Sequence, residues 1–122
     1  MLGVIETFQT IDSMYKGQLF NMEGETISVS EPVDCLINAC MLFESLYYFY
    51  PDSLYQISNR EDKFLLDTVS FIESIPVEEF AEKAKGLEAE AKEIILRVLE
   101  RIFMKYPEES STLSQYSRYL LV

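Results

Sequence analysis

Histidine is absent from the 122 residues, and so is tryptophan. Without histidine the chain lacks the commonest general base near neutral pH and the commonest transition-metal ligand. A carboxylate-bridged di-iron bundle built on Glu-x-x-His is excluded with it. Cysteine is scarce: Cys35 and Cys40 are the only two. That spacing turns a helix by about 140°, so the two do not share a face. A disulfide within one helix is geometrically poor, and a zinc site wants more thiolates or imidazoles. They read as two reduced, buried thiols of a cytosolic protein. No Ser sits in Gly-x-Ser-x-Gly, no Cys has a His to activate it, and there is no Walker sequence or Gly-rich phosphate loop. These absences speak against the familiar hydrolase and phosphoryl-transfer enzymes and leave only cofactor-free chemistry on Tyr, Asp or Glu; no cofactor is implied, and the expectation is a protein that is not an enzyme.

Basic residues are also few. Ten Lys and Arg face 21 Asp and Glu, for a formal net charge of −11. Direct nucleic-acid binding needs Lys and Arg to replace counterions, so the balance speaks against it. It speaks equally against anionic membrane surfaces. The imbalance is uneven: residues 1–59 hold eight acids and one base, Lys16, for a net −7. Four Gly and four Pro leave little material for tight turns, which favours helices over a many-stranded sheet. The first thirteen residues, MLGVIETFQTIDS, lack a basic region followed by a long apolar run, so no signal peptide is expected and the location is read as cytoplasmic.

What is present is apolar surface in helical rhythm. Hydrophobic residues make up 48% and charged residues 25%, as in an ordinary globular chain, and the length suits one domain, residues 1–122. The expected fold is mainly α: a compact bundle of four to five helices around a buried central helix, with a small β-hairpin between the first two. From Val33 to Tyr50 only Asp34, Asn38, Glu44 and Ser45 are polar. A helix apolar nearly all round is buried on several sides. Its two acids, its marginal length and the missing basic flanks speak against a membrane span.

Taken in order, residues 2–16 suggest an amphipathic helix with Leu2, Ile5, Phe8, Ile11 or Asp12, Tyr15 and Leu19 on its inner face and Gly17 as its stop. Thr26 to Ser30 alternates polar and apolar, with Glu23-Gly24-Glu25 as the turn and Leu19 to Met22 as the partner strand. Ser30-Glu31-Pro32 starts the central helix and Pro51 ends it. Leu54 to Ile57 reads as a short turn or a one-turn helix, and Ser58-Asn59-Arg60-Glu61 as a capping box opening a helix to about Glu73. Its inner face is Phe64, Leu65, Thr68, Phe71 or Ile72, and Ile75. Val77 to Tyr106 reads as one long helix with Gly86 marking a bend or close crossing. Glu79–Lys83, Glu88–Lys92 and Glu93–Arg97 are acid-before-base pairs on it. A last helix after Thr112-Leu113-Ser114-Gln115 either packs on the bundle or protrudes, over residues 110–122.

Two features remain as site candidates. The first is tyrosine: Tyr48, Tyr50 and Tyr55 near the end of the central helix, and Tyr116 and Tyr119 near the C-terminus. Tyr47 is expected inside, against Phe43. Tyrosine suits interfaces because an apolar ring and a wet hydroxyl both find partners there. The second is the acidic first half, with Asp12, Glu23, Glu25, Glu31 and Asp34. Acid pairs on neighbouring turns, Glu78 or Glu79 with Glu82 and Glu90 with Glu93, resemble the Mg²⁺-binding pairs of all-helical nucleotide pyrophosphohydrolases. Those need a second acidic pair on a facing helix, and Glu61, Asp62 and Asp67 do not match that spacing, so no metal ligand is assigned.

Three functions fit these features. The first is a non-enzymatic protein–protein interaction module or small subunit of an assembly, acidic and self-associating, as in a homodimer. The second is an acidic decoy or inhibitor that occupies a basic, nucleic-acid-binding surface of another protein. The third is a small ligand-binding or metal-dependent helical enzyme. The partner expected is a protein or a second copy of the chain, with no nucleic acid and no membrane. Few glycines and a charged long helix also fit a heat-stable protein.

Overall fold

A computed structural model describes residues 3–16, 18–20, 26–29 and 31–121, with side chains over 3–16 and 31–121. The fold is mainly helical. In chain order the elements are α1 (Val4–Met14), β1 (Gln18–Phe20), β2 (Thr26–Val29), α2 (Pro32–Phe49), α3 (Leu54–Glu73), α4 (Val77–Ala84), α5 (Ala89–Lys105) and α6 (Ser110–Ser117). Single 3-10 turns at Pro51–Ser53 and Pro107–Glu109 precede α3 and α6. The chain gathers into two compact units, Met1–Phe64 and Leu65–Val122.

In the first unit α1 starts at Gly3, whose carbonyl accepts both the Thr7 amide at 2.9 Å and the Thr7 hydroxyl at 2.7 Å. Its inner face is Val4, Phe8, Ile11 and Met14, with Thr7 buried among them. Ile5, expected inside, lies outside at 49% exposure. Phe8 and Ile11 are buried as expected, while Val4 takes the inner position expected for Ile5 and Met14 that expected for Tyr15. Leu2, Gly17 and Leu19 belong to segments whose side chains lie outside the described residues.

The strands β1 and β2 pair antiparallel, Gln18 opposite Val29 and Leu19 opposite Ser28, with an irregularity before Phe20 meets Thr26. The expected turn, Glu23-Gly24-Glu25, and the cap Ser30 lie outside the described residues. Pro32 occupies the first turn of α2, where a missing N–H costs nothing. From there α2 buries Val33, Cys35, Leu36, Ala39, Cys40, Phe43 and Leu46. Phe43 is the centre of an aromatic cluster. It stacks on Phe64 at 4.1 Å between centroids and meets Phe8 at 6.2 Å and Tyr47 at 5.5 Å edge-on. A buried phenylalanine of this kind contributes roughly 3–5 kcal/mol against alanine. Tyr47 thus packs inside against Phe43, and its hydroxyl donates to Glu61. Neither cysteine is in a disulfide, and both are fully buried. Burial, and next the charge of Glu44, push the Cys40 thiol well above its ordinary range. Cys40 is therefore a packing residue and not a nucleophile.

Two expected boundaries move. Helix α3 starts at Leu54, so the turn or one-turn helix expected over Leu54 to Ile57 is helical and runs without a break into the next, and Ser58 lies inside it. Ile57, fully buried, anchors this first stretch. Once the helix runs on from Leu54, the amides after Ser58 are met by carbonyls one turn back and need no side-chain cap. In the second unit the expected helix Val77–Tyr106 is two helices. The Gly86 amide reaches only to Lys83 O at 3.1 Å and the Leu87 amide to Ala84 O at 3.2 Å. These tightened bonds end α4, and Glu88, in an extended conformation, precedes α5. Phe80 and Ala84 of α4 and Ile95, Val98, Leu99 and Ile102 of α5 are buried.

The last helix does not protrude. It starts at Ser110, before Thr112, and Leu113, Tyr116 and Leu120 are buried. Tyr116 sets its ring edge-on to Phe80 at 5.2 Å, and its hydroxyl donates to Ile75 O at 2.7 Å. Among the described residues no helix is long and apolar enough to cross a membrane.

Candidate interaction surface

The C-terminal turn of α2 carries Leu46, Tyr47, Tyr48 and Phe49 in succession. A helix advances about 100° per residue, so four consecutive large side chains cannot all face the core. Leu46 is buried and Tyr47 half-buried; Tyr48 and Phe49 are left outside. Pro51 then closes the helix and turns the chain, with the Ser53 amide bonded to Tyr50 O at 3.0 Å. The next two residues, Leu54 and Tyr55, open α3 and also face outward. Nine large apolar side chains are exposed among the described residues, and four of them fall between positions 48 and 55. Four exposed so close together along the chain, around one tight turn, set this segment apart from the singly scattered exposed leucines of any protein. Tyr48 and Tyr55 are the most open of the four, at 81% and 80%. Tyr48 meets Phe49 edge-on at 5.1 Å, which holds the two rings as one ridge. Met41, also exposed, lies two helical turns before Tyr48 on the same stripe of α2.

Of the tyrosines expected at a surface, Tyr48 and Tyr55 belong to this ridge. Tyr50 is half-buried at the end of α2, its amide bonded to Leu46 O at 3.0 Å. Tyr116 is a core residue, 5% exposed, and so leaves the set of surface candidates. Burial, and after it the charges of Glu73 and Glu78, raise its phenol above the ordinary range. Tyr119 is half-buried beside Arg118, whose guanidinium lies 5.0 Å above its ring and donates to its hydroxyl at 3.0 Å. Phe49, Leu54 and Met41 were missed. The signal for Phe49 and Leu54 was their crowding around Pro51; Met41 was hidden in an apolar run that leaves no contrast between faces.

The described acidic candidates differ in their surroundings. Asp12 pairs with Lys63 at 3.2 Å. Glu31 and Asp34 are exposed at the start of α2, where a negative charge suits the helix dipole. Glu23 and Glu25 lie outside the described residues. Asp52, not singled out by the sequence, is exposed in the turn between the two halves of the ridge. On α4 and α5 the acids are interleaved with bases: Glu82 meets Lys85 at 3.3 Å and Glu93 meets Arg97 at 2.8 Å. Among the described residues no three Cys, Asp or Glu side chains gather where they could hold a metal ion. A shallow, open groove of about 200 Å³ lies between Ala89, Lys92, Glu93, Leu96 and Leu120.

These features define a mainly helical, acidic chain whose most distinctive surface is an aromatic ridge. No family model, curated protein or solved structure matches it.

Proposed function

We propose that this protein is a non-enzymatic protein–protein interaction module, or a small subunit of an assembly, that binds through the ridge formed by Tyr48, Phe49, Leu54 and Tyr55. The observation that carries the reading is the exposure of four large apolar side chains within one corner of the first unit. Open tyrosine rings bring large contact area at low cost in side-chain entropy, which is why they recur as binding anchors. In this reading α2 is the central helix of a bundle, the strands β1 and β2 are an accessory hairpin, and the protein works in the cytoplasm, either with a second copy of itself or with another protein. The decoy reading keeps one supporting observation, the net −7 of residues 1–59. The enzyme reading has none of comparable weight.

A photo-crosslinker tests the proposal. Tyr48→p-benzoylphenylalanine should yield a protein crosslink in expressing cells, either to another copy or to a different protein. The same label in place of Glu90, exposed on α5, should not. Equal yields at the two positions, or none at position 48, would count against the ridge as an interface.

A further inference from the structure

We infer that the ridge receives a basic, apolar segment of another protein, one carrying Lys or Arg beside large apolar side chains, and not a second copy of this chain. The inference rests on reading the ridge as an interaction surface and adds the chemistry of its occupant. Charge complementarity carries it. Between Lys16 and Arg60 the sequence contains no Lys or Arg at all, so no base adjoins the ridge along the chain on its N-terminal side. Asp52 is the only charged residue from position 45 to position 59, and it stands exposed in the turn that joins Tyr48 and Phe49 to Leu54 and Tyr55. The nearest bases along the chain are engaged locally. Arg60 directs its guanidinium to Gln56 O at 3.4 Å, and Lys63 pairs with Asp12 at 3.2 Å.

The rings add to the same preference. The π face of tyrosine is electronegative and attracts ammonium or guanidinium groups. Tyr48 and Tyr55 expose four-fifths of their surface, so a cation can approach both. An incoming Arg or Lys would meet a ring face and the Asp52 carboxylate together, while the apolar residues of the same segment cover Phe49 and Leu54. A second copy offers the opposite. In a two-fold interface the same patch meets itself, which sets Asp52 and the electronegative ring faces against an identical set, with no cation between positions 45 and 59 to meet them. Like charges opposed across an interface are unfavourable.

The test uses two fluorescein-labelled synthetic helix-forming peptides of equal length, one of Leu, Ala and Arg, the other with each Arg replaced by Glu. Fluorescence anisotropy is read at low and high NaCl with the full chain. The Leu/Arg peptide should bind, weaken with salt, and outcompete the Leu/Glu peptide. Tyr48→Ala with Tyr55→Ala should weaken binding roughly tenfold. Asp52→Lys should shift the preference toward the Leu/Glu peptide, while Asp34→Lys, an equal charge change in the first turn of α2 far from the ridge, should not. Thermal melting of each variant verifies that it folds, and Asp52→Lys leaves the rings intact should the double variant fail to. Equal effects of Asp34→Lys and Asp52→Lys, or binding indifferent to the tyrosines, would overturn the inference, because net charge alone would then explain it. Sedimentation separates the two levels of the argument. No Leu/Arg binding together with a dimer lost on Tyr48→Ala would overturn the basic occupant and keep the interface; no binding and no dimer would overturn both.

Discussion

Tyr116 shows how one side chain changes role once its surroundings are known. From the sequence it is one of several aromatics near the C-terminus. In the second unit it joins α6 to the segment before α4 through its hydroxyl and to Phe80 through its ring. Tyr116→Phe keeps the ring contact and removes the donor, leaving the Ile75 carbonyl short of a partner. Loss of such a buried bond costs about 1 kcal/mol, to be read as a lower urea midpoint with an unchanged slope. The phenol also links stability to pH. Its folded-state pKa is raised above the unfolded value by burial first and by Glu73 and Glu78 next. Its contribution is therefore complete below the unfolded pKa, near 10, and is lost as the pH rises from there through the folded value. Stability of the native chain should fall above pH 10 with a component that Tyr116→Phe lacks. Parallel alkaline slopes for the two proteins would show that Tyr116 titrates alike folded and unfolded.

At the scale of elements, the break between α4 and α5 is the main departure from the sequence reading. Gly86 does not adopt the left-handed backbone that only glycine takes readily, and a Cβ placed there would come no nearer than 3.8 Å to Lys83 O. Alanine therefore fits without strain and reduces the freedom of the unfolded chain. Gly86→Ala should leave the fold intact and stabilise it by about 0.4–1 kcal/mol, measured by chemical denaturation; a clear loss of stability would mean that the break itself requires glycine. The break was hard to read for a geometric reason. Ala84 and Ile95, eleven residues apart, stand only about 20° apart on an ideal helix, so the apolar stripe passes from α4 to α5 in phase. The pairs on either side, with Glu93–Arg97 formed at 2.8 Å, strengthen the appearance of one helix. Periodicity reports which residues face inward, not whether the carbonyls between them are bonded. The same limit explains Ser58, whose capping pattern is real as sequence but lies within α3 because Ile57 is already anchored. What was legible was the inner face of α3, where Phe64, Leu65, Thr68 and Ile72 are all buried. The exposure of Tyr48 was legible too, since consecutive aromatics point all round a helix; that of Leu54 required knowing that α3 begins there.

For the whole molecule the decisive quantity is charge. A formal −11 on 122 residues makes self-repulsion a standing cost of the compact state. Against it stand ion pairs such as Lys63–Asp12, Lys85–Glu82 and Arg97–Glu93, whose side chains are 45% to 76% exposed. Exposed pairs of this kind contribute about 0–1 kcal/mol each and are themselves weakened by salt. The two effects have opposite signs as ionic strength rises, so their balance is measurable. Repulsion acts among all the acids over long distances, whereas each pair is local, and salt shortens the reach of both to about 10 Å at 0.1 M and about 3 Å at 1 M. The long-range term is cut most. Melting should therefore move upward on going from dilute buffer to high NaCl, by a few degrees, the size that roughly 1 kcal/mol produces in a chain of this length. The ridge predicts a different salt response for binding: a basic segment held near Asp52 would be released by the same NaCl that raises the melting temperature. Stability rising while binding falls is a signature that neither an apolar self-association nor a plain surface would give. A melting temperature that drops with salt would instead assign the net stabilisation to the ion pairs.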